Sequence, residues 1–576
     1  MQVRSLDETA VARLAARLRV RAVTARCLMA RGVDGEHAAG FLDPRLALLR
    51  RPEGELPMAG FATAADRVTR AVLRSERIAV FGDYDVDGVT TCAVLTSFLR
   101  GCGAEVIARV ARRDEGYGFG AAPAAELLAM APGLIITGDC GTSDLAAIAT
   151  ARAAGVDVVV VDHHTVPERG GHPAVALVNP HRADSRFPFR GMASVGIAFY
   201  LAAAVRTRLV EQGWFRTRPA PDPRELLDLV ALGTIADLVP LSDENRILAS
   251  AGLRLASERR RPGLAALLAT AGVPPERAVD EHVLAWKLGP RLNAPGRMGD
   301  AAPALELLLA APGQAEACAA ALEIANGARR QAQDAATAEA LAAIGDEPGP
   351  AIVVASERWL PGVVGIVAAR LVDRFARPAF VIAIDPVTNI GRGSARTTGG
   401  IDLYRTLATC APLLERFGGH AAAAGLTLRG SDVDALREAL GAAVLAEGSR
   451  PIAPKFTADS EVALGEVDEA LVTELDRLGP FGQDNPEPRL IARQLDVISS
   501  RRVGDGSHVK LELRCPKSGV VRGAIGFGMG ERDPGVGARV DVAFRPTASS
   551  WQGRARVELE LRDLALAGAP VAAGAV

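Results

Sequence analysis

From Arg77 onward the chain alternates short, continuous apolar runs with longer stretches in which apolar residues recur at helical spacing. The runs RIAVFGD, AEVIARVA, GLIITGD and VDVVVVDHH lack the polar alternation of a half-exposed strand, so each is read as a buried strand, with a helix from Thr90 as the first crossover. Strands and helices in regular alternation predict an α/β fold, a parallel, doubly wound sheet within residues 51–300, whose carboxyl-terminal edge is where ligands bind. Residues 1–50 pattern as short helices ending at the Pro-punctuated FLDPRL, an N-terminal helical lead-in. The Ala-rich stretch 301–345 predicts a long connecting helix, and a second α/β unit opens at AIVVAS and fills 346–450. Short alternating segments, from RLIARQLDVISSRRVG to ARVELELRDL, predict a small β-barrel over 451–566, and 567–576 reads as a disordered tail.

Several of these apolar elements run straight into ionisable residues. RIAVFGD leads into DYDVDG, which sets Asp83, Asp85 and Asp87 in the turn after the strand. LIITGD ends in Asp139, VDVVVVDHH ends in Asp162, His163 and His164, and LDLVALGTIADLVPL brings Asp237 to the end of an apolar helical run. Carboxylates packed this closely repel one another unless cations or hydrogen bonds compensate. Singly, each end is explained by a solvated turn or a helix cap. Four such ends in one α/β domain would converge at one rim, offering hard oxygen ligands with imidazole nitrogen, a mix suited to manganese or magnesium.

DYDVDG, TGDCG, VDHH and GTIADLVPL, in this order, resemble the signature motifs of the DHH phosphoesterase superfamily. NPHRADSRFPFRGMASVGIAF, GPRLNAPGRMGDA, PGVVGIVAARL, GRGSAR, FGGHAAAAGLTL and PFGQDNPEP are similar to its RecJ branch, and the resemblance spans about residues 35–565. It implies a single-stranded-DNA-specific exonuclease that works 5′→3′, releases 5′ mononucleotides and acts in DNA repair and recombination. Two divalent ions, manganese by preference or magnesium, are the implied cofactors. Asp83, Asp85 and Asp87 would hold the ions, Asp139 would bridge them, and Asp162 or His163 with Asp237 would complete the set. His164 is left open between ligating, contacting the scissile phosphate and acting as general acid, with the phosphate role ranked first. Such a site activates a bridging water between ions about 3.5–4 Å apart and clamps attacking and leaving oxygens. Two departures stand out. Phe81 occupies the place where many relatives carry His, so Asp83 is expected to fill in at the first ion, and Gly138 stands where a larger apolar residue is usual.

An exonuclease must also grip phosphates. Arg291 and Asn293, with Arg297, form a polar cluster after a helical run; alone it reads as a capped loop, and the resemblance places it beside the ions, with Arg291 in the catalytic set. Arg392, Ser394 and Arg396 in GRGSARTTGG, and Gly419 and His420 in FGGHAAAAG, are read as Gly-rich turns whose N–H groups cradle phosphate, GGH opening a helix. By resemblance this unit is the DHH-associated nucleic-acid-binding domain, facing the catalytic domain across a cleft. Arg109, Arg112, Arg113, Tyr117 and Phe119 mix basic groups with aromatics suited to stacking bases at the entrance, or form a solvated loop. The barrel, with Arg501, Arg502, His508, Lys510 and Arg522, resembles the OB fold of the family.

Bulk properties narrow the setting. At 576 residues the chain exceeds one core. Its formal net charge of -2 excludes binding by bulk positive charge, so nucleic acid must be met by local patches. Seven scattered cysteines without a CxxC pair argue against a zinc knuckle or a disulfide framework and suit the cytoplasm, with Cys140 expected as a buried thiol. No apolar run of about 18 residues appears, so no membrane is expected. The implied partners are single-stranded DNA, a single-strand-binding protein and a helicase, and the chain is expected to be monomeric. Two rivals remain: a DHH hydrolase of pyrophosphate, cyclic dinucleotides or short RNA, against which the barrel argues, and a catalytically dead binding module, against which the retained Asp85, Asp87, Asp139, Asp162 and Asp237 argue.

Overall fold

The computed structural model describes the whole chain except residues 34, 168–170, 346–347, 398, 448–456, 552–553 and 569–576. The expected tail therefore lies outside the described residues from 569 on, as does the expected boundary near 451. The chain forms two compact units, one of residues 51–237 and 252–453, the other of 1–50, 238–251 and 454–576. Among the described residues no helix is long and apolar enough to cross a membrane.

The first unit opens with the parallel sheet expected from the sequence. Its strands, in spatial order, are Val106–Val110, Ile78–Gly82, Leu134–Gly138, Asp157–Val161 and Ala176–Val178. Strand order reverses between Ile78–Gly82 and Leu134–Gly138, the crevice where doubly wound sheets bind ligands. The helix after the first strand begins at Val86 rather than Thr90, because Asp85 caps it, its Oδ1 accepting from the Gly88 amide at 3.1 Å. Asp85 and Asp87 thus ride on a helix start instead of an open turn. A methyl group at Gly88 would lie 2.5 Å from the Asp83 amide nitrogen and 2.6 Å from its carbonyl oxygen. Only glycine lets the helix come this close to the strand end.

Helices Ala302–Leu309 and Ala315–Ile344 then lead to the second α/β sheet. That sheet is mixed: only Ile352–Ser356 and Ala379–Ile384 run parallel, and Ile390–Arg396, Ala423–Arg429 and Arg416–Gly419 add antiparallel strands. Two expectations are corrected here. GRGSAR is a strand, not a turn, and His420 sits exposed in a hairpin, not at a helix start, its amide donating to the Ala423 carbonyl at 2.8 Å. Ala424, Leu426 and Leu428 turn inward at a period of two, which makes the small-residue run a strand.

In the second unit, five strands close into a barrel through the pairing of Leu490–Val503 with Arg539–Trp551. Residues 1–50, expected as a separate lead-in, share its core. Val11, Leu14 and Leu28 pack in one buried cluster with Leu471, Leu490 and Phe544, and Gln2–Val3 pairs with Thr457–Ala458. The apolar faces of these helices are too short to form a core alone, so they complete this one.

The close approach at Gly88 predicts that Gly88→Ala lowers the unfolding free energy by about 3 kcal/mol, the upper end of overpacking costs, because both opposing atoms are backbone. Denaturant unfolding of the full chain checks it, and an unchanged midpoint would contradict the packing described.

Candidate metal centre

The ends of these elements meet at the switch point. Three groups of side chains place their ligand atoms within 4.8 Å of one another: Asp83, Asp85 and Asp139; Asp87, His163 and Asp237; and Asp139, His163 and His164. The first is all oxygen, and the second adds an imidazole. Asp139 lies between them, its Oδ1 3.3 Å from His163 Nε2, which is also 3.4 Å from Asp237 Oδ2. Asp139 adopts a left-handed backbone, φ 61°, at the strand end, a conformation that costs energy in a non-glycine residue and clusters at working sites. Asp237 is carried by the C-terminus of the helix Leu227–Ala236.

Asp162 does something other than the ligation expected of it. Its Oδ1 accepts from the amides of His163 and His164 and from His164 Nδ1 at 2.8 Å, and its Oδ2 accepts from the Thr142 amide at 3.0 Å. Both oxygens are engaged, and Asp162 belongs to none of the three groups. Burial would raise its pKa, but the His164 contacts and the other donors hold it well below the usual carboxylate range. The other nitrogen of His164, Nε2, lies 2.9 Å from Tyr117 Oη. Asn179 Nδ2 donates to the His164 carbonyl.

Beside Asn179 and Thr142, two further contributors were not foreseen. The amides of Ser194 and Val195, at the start of the helix Ser194–Glu211, donate to Asp87 at 2.8 and 3.0 Å, so a helix N-terminus faces this carboxylate. Ser194 Oγ also donates to Asp139 Oδ1 at 3.2 Å. The signal available in the sequence was a helical run opening just after the Pro- and Gly-bearing PFRGMA.

Burial makes this site unstable in its own charge. Desolvation first, then neighbouring carboxylates, push Asp83 up to about 8, Asp87 to about 7 and Asp237 to about 9, with Asp139 raised as well. Burial, then His164, pushes His163 down to about 4, leaving a neutral imidazole, the form that ligates metals. Both oxygens of Asp83, Nε2 of His163 and Oδ2 of Asp237 are buried without a hydrogen-bond partner among the described residues. Buried acceptors are rarely orphaned, and here they face one another. Hard oxygens plus one neutral imidazole fit divalent manganese or magnesium.

The two departures are accommodated. Phe81 is fully buried against Phe119, ring centroids 5.2 Å apart, an apolar floor with no nitrogen to offer. At Gly138 a methyl would lie 2.4 Å from Thr91 Cγ2, so the Thr91 methyl fills the space a larger residue would take. The Cys140 thiol is buried, and burial pushes it up.

The expected basic entrance is largely neutralised. Arg109 and Arg112 pair with Glu115 and Glu126, and Phe119 is buried rather than free to stack. Arg113 donates to the Gly296 carbonyl at 2.7 Å and lies over the Tyr84 ring. Arg291, Asn293 and Arg297 lie inside the helix Gly289–Met298, not after it, and Arg291 is turned to Glu323 and the Lys287 carbonyl. Arg297 differs. It donates to the Gly362 carbonyl at 3.2 Å, and burial, then Arg113 and Arg329, push it down to about 10. A methyl at Gly365 would lie 3.2 Å from Arg396 Nη2 and 3.4 Å from Ser394 Oγ, which sets both beside the start of the helix Val364–Phe375. Arg392, Gly419 and His420 are exposed on the same sheet.

Comparison with known proteins places these parts in context. Residues 77–234 match the DHH family N-terminal domain, 349–446 the DHHA1 domain and 458–563 the RecJ OB domain. The chain is 35% identical over 578 residues to the single-stranded-DNA-specific exonuclease RecJ of Bacillus subtilis (strain 168), covering 98% of this chain and 70% of that protein. With the protein of the same name from Escherichia coli (strain K12) it shares 33% identity over 542 residues, covering 90% and 92%. The crystal structure of RecJ in complex with Mn2+ from Thermus thermophilus superposes with a TM-score of 0.83 at 29% identity, covering 98% of this chain and 80% of that one. The corresponding Mg2+ complex gives 0.74 at 27% identity, covering 98% and 79%.

Two outcomes follow from the packing and the charge. Gly138→Ala costs about 1–3 kcal/mol of stability, and Thr91→Ser in the same chain restores most of it; failure of the rescue in denaturant unfolding would contradict the methyl-for-methyl exchange. Asp83, Asp87 and Asp237 have folded values raised above the unfolded ones, so they favour the fold while protonated, and that support is lost as pH rises toward about 9. In EDTA the melting temperature should fall between about pH 4 and 9, and manganese should remove the fall; a profile insensitive to manganese would count against the site.

Proposed function

Because this chain belongs to the RecJ family of DHH phosphoesterases, we propose that it degrades single-stranded DNA from the 5′ end to 5′ mononucleotides, using two divalent ions, manganese by preference or magnesium. The observation that carries the reading is the set of buried, partnerless acceptors on Asp83, His163 and Asp237 gathered around Asp139. The substrate assignment is supported by the relatives named as single-stranded-DNA-specific exonucleases and by the RecJ OB domain match.

In this reading Asp83, Asp85 and Asp139 would hold one ion, and Asp87, His163 and Asp237 with Asp139 would hold the other. The bound ions would supply a nucleophilic water at neutral pH and charge compensation at the phosphate. The protein's own residues do the rest. Ser194 and the helix amides behind Asp87 keep two carboxylates aimed inward. Asp162 serves as the orienting partner of His164 instead of a ligand, and His164 meets the scissile phosphate. Arg297 and Arg113, bonded to carbonyls rather than carboxylates, keep their charge for strand phosphates, as do Ser394 and Arg396 beside a helix start. Arg392, Gly419 and His420 extend that surface, and the barrel contributes further strand binding. Arg291, paired with Glu323, supports its helix. A role in DNA repair and recombination, in the cytoplasm and beside a single-strand-binding protein and a helicase, is the setting in which such an activity is used.

The test incubates purified protein and manganese with end-labelled single strands and duplexes. Release of mononucleotides from the 5′ end of the single strand alone is the expected result, and cleavage of pyrophosphate or dinucleotides with long strands untouched would overturn it. Asp139→Ala should abolish turnover while strand binding largely survives. Arg297→Met should raise KM by about 10–100-fold, the worth of one charge-assisted hydrogen bond of about 1.5–3 kcal/mol, and an unchanged KM would remove Arg297 from the strand path.

A further inference from the structure

We propose that Tyr117 acts through its hydroxyl on His164 rather than through its ring on the bases: it is a positioning residue that, opposite Asp162, fixes the His164 imidazole from both nitrogens. The proposal rests on the exonuclease reading above and assigns one of its residues a different task.

The geometry is a chain of three side chains. Asp162 Oδ1 lies 2.8 Å from His164 Nδ1, and an ionised carboxylate can only accept, so Nδ1 carries the proton. The other ring nitrogen, Nε2, lies 2.9 Å from Tyr117 Oη. An imidazole held at one nitrogen still turns about its broad χ2 well, whereas one held at both has a single orientation. Asp162 is itself immobilised by three backbone amides, and the His164 backbone is tied by Asn179. The remaining freedom of His164 is its ring, and Tyr117 removes it.

The loop that carries Tyr117 is built to present it. Gly116 and Gly118 adopt φ 95° and 81°, a conformation glycine takes without strain. A methyl at Gly118 would lie 2.7 Å from an Asp144 carboxylate oxygen. That oxygen, Oδ2, accepts from the Phe119 amide at 2.8 Å, and the Phe119 ring is fully buried. Behind Tyr117, the Tyr84 ring meets it edge-on at 6.1 Å and is itself covered by the Arg113 guanidinium at 4.4 Å. Tyr117 is 56% exposed, yet its hydroxyl is directed at the histidine.

The experiment compares wild type, Tyr117→Phe, His164→Ala and the double variant on end-labelled single strands with manganese. Tyr117→Phe keeps the ring and loses the hydroxyl. A fall in kcat of about tenfold is expected, equivalent to about 1.4 kcal/mol, the scale of one hydrogen bond. The KM for the strand, the manganese affinity by calorimetry and the melting temperature should stay unchanged, and the double variant should be no slower than His164→Ala. Wild-type kcat in Tyr117→Phe would overturn the proposal, as would a raised KM at constant kcat or losses that multiply in the double variant. Nitrogen NMR of labelled histidine reads the same contact without turnover: the His164 Nε2 resonance should move in Tyr117→Phe, and an unmoved resonance would overturn the proposal. An inactive wild type would sink the exonuclease reading, and the resonance would still decide the role of Tyr117.

Discussion

Buried carboxylates and a neutral imidazole aimed at one another leave acceptors without a hydrogen-bond partner among the described residues. Asp83 offers two oxygens without a well-formed hydrogen bond among the described residues, and Asp237 and His163 offer one atom each. Leaving such groups unpaired in the interior costs energy that the fold does not recover locally, and ionising them together costs more. Divalent cations resolve both terms at once, because each supplies charge and coordination to several acceptors. The chemistry proposed for the site is a consequence of that unmet demand.

The rest of the domain holds the demand in place. Gly88 lets the helix start come within backbone contact of the Asp83 strand end, and the Gly138–Thr91 exchange lets the neighbouring strand carry Asp139 alongside it. Asp139 is held at φ 61° there. The amides of the helix Ser194–Glu211 restrain Asp87 without supplying a counter-charge of unit size, so the site stays short of positive charge. Two histidines next to each other in sequence are separated in task by one carboxylate. Asp162 turns to His164, and His163 is left facing the cluster.

Much of this could be read from the sequence because each acidic residue terminates a buried apolar element, and the rim of a doubly wound sheet gathers such ends by topology. The limits of that reading are equally physical. Motif membership says nothing about which way a carboxylate turns, so Asp162 read as a ligand. Arg109 and Arg112 read as basic groups free to help stack bases at the entrance because Glu126, one of the two carboxylates that pair with them, lies on the following helix. His420 read as a helix start because an alanine run carries no period of its own until Leu426 and Leu428 reveal the strand. Ser194, Asn179 and the Tyr117–His164 contact depend on distances between segments far apart in the chain, which no local pattern encodes. The helices of residues 1–50 patterned correctly, but their shared core with the barrel is a tertiary fact.

The central claim is that the converging acceptors form a site for two ions joined through Asp139. Electron paramagnetic resonance of the metal-free protein titrated with manganese tests it most directly. Two ions per chain with a spin-coupled multiline spectrum at saturation is the predicted result. A single uncoupled six-line signal that saturates at one ion per chain would contradict the account.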